Sequence, residues 1–207
     1  VLAQNVETLS QLRSPRMQRF FQWQEMSDYR FAVVESLDGE TADVRLKRDS
    51  SLPPEEACRV VRQLAEAIQA FQKTGRPHGD ICLENVWLGN QGCVQLLVEP
   101  LDWMSPLSLV PNSELDMRRL DYLAPELTVA GKSPDLCTDL YALGCTFYGL
   151  LSGKPPFDDS KGAEKIRRHV QQPVSPLEPL GIAKEIEQLV YRLMAKNPQV
   201  RFQSPQE

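Results

Sequence analysis

The sequence predicts an α+β domain. Three observations carry that prediction: two short strand patterns near the start, a hairpin signal near the middle, and helical apolar spacing through most of the remainder. Strands followed by a mostly helical body give a layered α+β arrangement rather than the alternation of a parallel α/β sheet.

The elements follow in chain order. Val1, Leu2, Val6, Leu9 and Leu12 lie at helical spacing, and Arg13-Ser14-Pro15 ends that segment. Residues 17–24 and 29–37 read as two strands around a turn at 25–28, and Asp38-Gly39-Glu40 as a polar connection. A long helix opens at 51–56. Ser51 suits its cap, Pro53 and Pro54 fall where backbone N–H groups need no partner, and Glu55 and Glu56 suit the positive end of the dipole. Ala57, Val60, Val61, Leu64, Ala65, Ile68 and Phe71 continue it as an apolar stripe of about five turns, with Gly75 just past its end. Residues 85–88 and 93–98, joined by Gly89-Asn90-Gln91-Gly92, read as a hairpin. Residues 101–120 lack periodicity and read as a loop of about 20 residues, a length that is usually functional or mobile. The run 136–151 is apolar nearly all round, as in a helix enclosed by a core, and Gly153 and Pro155-Pro156 end it. Two amphipathic helices follow at 163–170 and 182–194, separated by a proline-rich connection. Ser204-Pro205-Gln206-Glu207 reads as the opening of a further helix.

Composition narrows the function classes. The 207 residues carry 23 Lys and Arg against 28 Asp and Glu, a net charge of -5. A mildly acidic chain without basic clusters argues against nucleic acid as the main partner. No apolar run approaches the roughly 18 residues that span a bilayer. Cys58, Cys82, Cys93, Cys137 and Cys145 are odd in number and without C-x-x-C spacing, which argues against a disulfide framework or zinc site and for a reducing, cytoplasmic setting. The chain starts at Val1 without Met or signal peptide, and both ends read as cuts in a longer chain.

The sharpest motif is His78-Gly79-Asp80-Ile81-Cys82-Leu83-Glu84-Asn85, between the long helix and the hairpin. It resembles the HRDxKPEN catalytic loop of protein kinases. Leu97-Val98-Glu99-Pro100 falls where that family has DFG, and Tyr122-Leu123-Ala124-Pro125-Glu126 carries its APE motif. Asp139-Leu140-Tyr141-Ala142-Leu143-Gly144 is similar to the DxWSxG opening of its large buried helix. Pro155-Pro156-Phe157 and Asn197-Pro198-Gln199-Val200-Arg201 complete six landmarks in the family's order. The wording LGCTFYGLLSGKPPF and LMAKNPQVRF is similar to the bacterial, eukaryotic-like Ser/Thr kinases.

The resemblance implies a kinase-like fold, with residues 1–37 as the remainder of a small β-rich N-lobe and 38–207 as a largely helical C-lobe. Val1 would then lie inside helix αC, and the glycine-rich loop and β3 lysine would precede it. Val34-Glu35-Ser36-Leu37 would form the gatekeeper and hinge, so that Val34, Glu35, Leu37, Trp87 and Val98 border the nucleotide. Asp80 becomes the candidate base and Asn85 the candidate magnesium ligand, with ATP and Mg2+ as cofactors of an active enzyme, or none of an inactive one.

Several positions depart from that pattern. The magnesium-holding Asp falls at Val98, which has no oxygen; Glu99 is next, and strand alternation points it to the other face. The catalytic-loop lysine falls at Cys82, and the hydroxyl ahead of the YxAPE stretch at Arg119. The αC glutamate falls at Asn5, with Glu7 reachable by a slip of register. The residue flooring the adenine pocket falls at Trp87, whose indole needs more room than the family's Leu. Each lost electrostatic stabiliser costs about 3–4 kcal/mol of barrier, and such groups act as a unit.

Structural roles are open for most of these residues. Asp80 and Asn85 can simply satisfy loop backbone groups. The resemblance implies that His78 packs inside the C-lobe, that Glu126 and Arg201 form a buried salt bridge, and that Asp139 anchors the catalytic-loop backbone. Arg118-Arg119 reads as a solvated pair, and Ser105, Ser108 and Ser113 as ordinary loop serines. Three functions remain: a pseudokinase that works by binding a protein partner, a weak Ser/Thr kinase acting on a protein substrate with Glu99 recruited for magnesium, and an ATP sensor without turnover.

Overall fold

The computed structural model describes residues 9–27, 30–98 and 118–207. Expectations about Asn5, Glu7, Glu99, Ser105, Ser108, Ser113 and most of the 101–120 loop lie outside the described residues, as does the segment before Leu9. Strands β1 (Phe20–Glu25) and β2 (Arg30–Val34) pair antiparallel, from Phe20 opposite Val34 to Glu25 opposite Arg30. They are shorter than 17–24 and 29–37. Met17 instead bridges Leu96, the Gln18 N–H donates to the Leu96 carbonyl at 3.1 Å, and the Leu96 N–H donates to the Arg16 carbonyl at 2.8 Å. The start of the described chain is thus tied to the hairpin further on.

A second, three-stranded antiparallel sheet has the order β3 (Gly39–Thr41), β4 (Val86–Gly89), β5 (Val94–Leu96). The stretch expected to be a polar connection therefore contributes a strand, with Glu40 opposite Leu88 and Thr41 opposite Trp87. Backbone pairing, not side-chain burial, makes it one, so no apolar alternation marks it. Helix α1 (Ala42–Asp49) was not expected either. It buries only Ala42 and Leu46, and its polar face carries Asp43–Lys47 and Arg45–Asp49 pairs one turn apart.

The long helix is α2 (Pro54–Gln72); its cap is Pro53 with no side-chain bond, so Ser51 does not cap it. The enclosed helix is α3 (Leu136–Ser152), opened by a capping box in which Asp135 and Thr138 satisfy each other's backbone N–H groups. Fourteen consecutive residues of it, Thr138 to Leu151, are buried. It packs on α2, where Leu64, Ile68 and Phe71 are buried, and on α5 (Lys184–Leu193) at Gly144. A Cβ at Gly144 would stand 2.7 Å from the Leu193 Cβ and 2.8 Å from the Met194 Cγ, so the two helices meet at this distance because residue 144 has no side chain. Helix α4 (Gly162–Gln171) closes the body. Pro205 and Gln206 lie in a turn. Among the described residues no helix is long and apolar enough to cross a membrane.

The largest buried polar group of the helical body is paired on every side. The Arg201 side chain is fully buried; its guanidinium donates to both Glu126 carboxylate oxygens, at 2.6 and 2.8 Å, and to the Ala195 and Cys137 carbonyls, each at 2.8 Å. Its face lies on the Tyr141 ring, 4.8 Å from the centroid. Tyr141 also meets His169 Nδ1 through its hydroxyl at 2.9 Å, and burial pushes that imidazole down to about 3. Lys165 pairs with Asp121, fastening α4 to the stretch that ends in Glu126.

Candidate functional site

The site grows from the turn that follows α2. Gly79 has a φ of 77°, a conformation that favours glycine over any L side chain. The Asp139 carboxylate, projecting from the first turn of α3, accepts the His78 N–H at 2.7 Å and the Gly79 N–H at 2.8 Å. Burial pushes that carboxyl up to about 7, against the two backbone donors that favour its charged form.

His78 is buried. Its Nε2 faces the Leu97 carbonyl at 3.0 Å, its Nδ1 meets the Asp80 N–H at 3.3 Å, and its ring stands edge-on to Phe71. A neutral imidazole protonated at Nε2 satisfies both contacts, and burial lowers its pKa in the same sense. The residue links the 78–85 loop to the chain just past β5.

Asp80 and Asn85 are brought together. The Asn85 amide donates to the Asp80 carbonyl and to Asp80 Oδ2, both at 2.9 Å. Arg118 Nη2 donates to the same Oδ2 at 3.3 Å, and Arg119 Nε lies 3.8 Å from Oδ1. The side chains of Asp80, Arg119 and Arg118 are 8%, 10% and 19% exposed, so the arginines are not the solvated pair that their sequence suggests. Their partner is far back in the chain, and nothing local to them marks it. A short helical turn at 118–120 presents them, and the next residues complete the contact: the Leu83 N–H donates to the Tyr122 hydroxyl at 3.2 Å.

Cys82, at the lysine position, is buried; burial first, and Asp80 second, push its thiol well above the ordinary range, so no charge stands there. Val98, at the position of the magnesium-holding Asp, is 6% exposed and belongs to the apolar core. Position 98 thus offers a metal no side-chain oxygen, while the Asn85 amide nitrogen donates to Asp80 and leaves its carbonyl oxygen uncommitted by these bonds. A magnesium ion held in the kinase manner would lack its carboxylate at position 98.

The residues expected to border a nucleotide are less converged. Trp87 is half-buried and opposes Thr41 and Gln95 across the sheet; its indole N–H donates to the Asp38 carbonyl at 3.3 Å. The ring therefore lies against the connection after 34–37, beside Gly39, where an added Cβ would stand 2.9 Å from the indole nitrogen. Val34 is exposed and Leu37 half-buried. Glu35 is occupied with the chain beside β1: its N–H donates to the Arg19 carbonyl at 2.8 Å, its carboxylate accepts the Arg19 N–H at 3.2 Å, and its carbonyl accepts the Gln18 amide at 3.0 Å.

Comparison with known proteins bears on the family and the fold. A family model described as "Protein kinase domain" matches residues 2–206. The chain is 27% identical over 180 residues to the serine/threonine-protein kinase PknB of Mycobacterium leprae, covering 86% of this chain and 29% of that protein. It is 34% identical over 182 residues to the serine/threonine-protein kinase PkaB of Streptomyces coelicolor, covering 83% of this chain and 42% of that one. The chain thus spans less than half the length of these curated relatives. The crystal structure of Rad53 1-466 in complex with AMP-PNP superposes with a TM-score of 0.82 at 20% identity, over 99% of this chain and 52% of that one, a likeness of fold. With the family model spanning nearly every residue, the chain belongs to the protein kinase superfamily, and bacterial Ser/Thr kinases are among the proteins it is similar to.

Proposed function

We propose that this domain is a catalytically impaired pseudokinase that works as a regulatory or scaffolding module by binding a protein partner, in a cytoplasmic setting and without nucleic acid. Residues 1–37 are read as the remainder of its N-lobe and 38–207 as its C-lobe. The observation that carries the reading is Val98, a buried apolar side chain where phosphoryl transfer needs a magnesium-holding carboxylate. Two further features support it. Cys82 supplies no cation to a transferring phosphoryl group, and the indole of Trp87 leans on the connection that follows the hinge.

A second reading is a weakly active Ser/Thr kinase, with Asp80 as base, Asn85 and Glu99 toward magnesium, and ATP as phosphoryl donor. The retained Asp80–Asn85 contact favours it. The two readings differ in nucleotide binding, which melting of the intact protein with and without saturating ATP and Mg2+ measures. A ligand at about 100 times its dissociation constant adds about 2.7 kcal/mol of stability. The pseudokinase reading predicts no shift in Tm. A magnesium-dependent rise overturns the assignment of Val98 and Trp87 as blocking residues. A rise with ATP that is indifferent to magnesium favours a nucleotide sensor.

A further inference from the structure

We propose that Arg118 and Arg119 form a clasp on the Asp80 carboxylate, holding the 118–126 stretch closed on the 78–85 loop and keeping a protein hydroxyl from that carboxylate. The clasp is made of the chain's own side chains and does not depend on whether a nucleotide binds.

Three features support it. The first is burial. An exposed ion pair is loosened by water and salt, whereas here the three side chains are 8–19% exposed, and parting them leaves charge uncompensated inside the protein. The second is where the charge has moved. The loop position at which kinases carry lysine is the neutral Cys82, and the facing position at which they carry a hydroxyl is Arg119, with Arg118 beside it. The loop carries no cation at that position, and two cations stand on the segment across from it, beside the same carboxylate. Arg118 lies near enough to 82–84 to oppose the effect of burial on both the Cys82 thiol and the Glu84 carboxyl.

The third is how the arginines are held. The Asp121 and Tyr122 N–H groups donate to the Arg118 and Arg119 carbonyls at 3.0 and 3.2 Å, fixing both residues in one turn. Tyr122 takes the Leu83 N–H, Asp121 is tied to Lys165, and Glu126 to Arg201, so the turn is fastened to the loop on one side and to the helical body on the other. Both carboxylate oxygens of Asp80 face a guanidinium, and Oδ2 also accepts from Asn85. A substrate hydroxyl meets Asn85 and Arg118 already bonded to Oδ2, and at Oδ1 the Arg119 guanidinium standing 3.8 Å away without a hydrogen bond to it.

Hydrogen exchange of the intact protein tests this, read on peptides covering 78–85 and 118–126. The Leu83 amide is the reporter, since Tyr122 holds it only while the two segments meet. Arg118→Gln with Arg119→Gln is expected to speed exchange there about tenfold, the change that follows loss of one charge-assisted hydrogen bond. Asp80→Asn is expected to do the same, and all three changes together no more than either, because they remove one contact. Unchanged exchange in the paired variant, or rises that multiply in the triple variant, overturns the clasp. Should the paired variant unfold, Arg119→Gln alone carries the test. It keeps the Arg118 hydrogen bond at 3.3 Å, and a rise of about threefold is expected, with no rise counting against the clasp.

Discussion

Glu126→Ala is expected to lower the stability of the domain by about 3–5 kcal/mol, because it leaves the Arg201 guanidinium charged and unpaired in the interior. The Arg201 side chain has no exposure to solvent, and Glu126 accepts from both of its terminal nitrogens. The backbone acceptors at Ala195 and Cys137 remain in the variant but carry no charge. Replacing both partners together, Glu126→Leu with Arg201→Met, is expected to cost less than the single change, since no orphaned charge is left. Urea unfolding midpoints of the three proteins check this. A loss below about 1 kcal/mol in Glu126→Ala would show that the pair contributes like an exposed one.

Asp139→Ala is expected to cost about 2–4 kcal/mol and to loosen the loop that carries Asp80, because the His78 and Gly79 N–H groups lose their shared acceptor. The loss depends on pH in a defined sense. Burial holds the carboxyl at about 7 in the fold against 3.8 for the ordinary side chain, so between these values the folded state binds more protons than the unfolded one. The stability contributed by Asp139 is fully present below about 4 and declines as pH rises toward 7. The gap between wild type and Asp139→Ala therefore widens from pH 8 to pH 5, by about 2 kcal/mol. A gap that is constant, or widest at pH 8, would mean that the two backbone donors hold the carboxylate charged throughout.

What the sequence discloses and what it conceals divide along a physical line. Helices α2 and α3 are legible because burial selects their side chains directly, as a stripe in one and on all sides in the other. Asp139, Glu126 and Arg201 are legible because each occupies a fixed place in a motif whose backbone it satisfies. Helix α1 is hidden because charged pairs on its own surface and two buried residues support it, a pattern no apolar periodicity records. Strand β3 is hidden because its pairing with β4 lies in the backbone. The arginines at 118 and 119 are hidden for a third reason. Their sequence neighbourhood is polar and proline-containing, and their partner at Asp80 becomes visible only when the 118–126 stretch folds back onto the loop. The catalytic motifs state which residues were replaced; the fold alone states what the replacements now touch.

The proposed loss of activity rests on Val98, Cys82 and the occupied Asp80, and a phosphoryl-transfer assay tests it directly. The intact protein, incubated with labelled ATP, Mg2+ and a mixture of protein substrates, is compared with its Asp80→Ala variant. The account predicts incorporation at background in both, with no difference between them. Incorporation by the wild-type protein that Asp80→Ala abolishes would contradict it, and would make Asp80 a working base despite the valine at position 98.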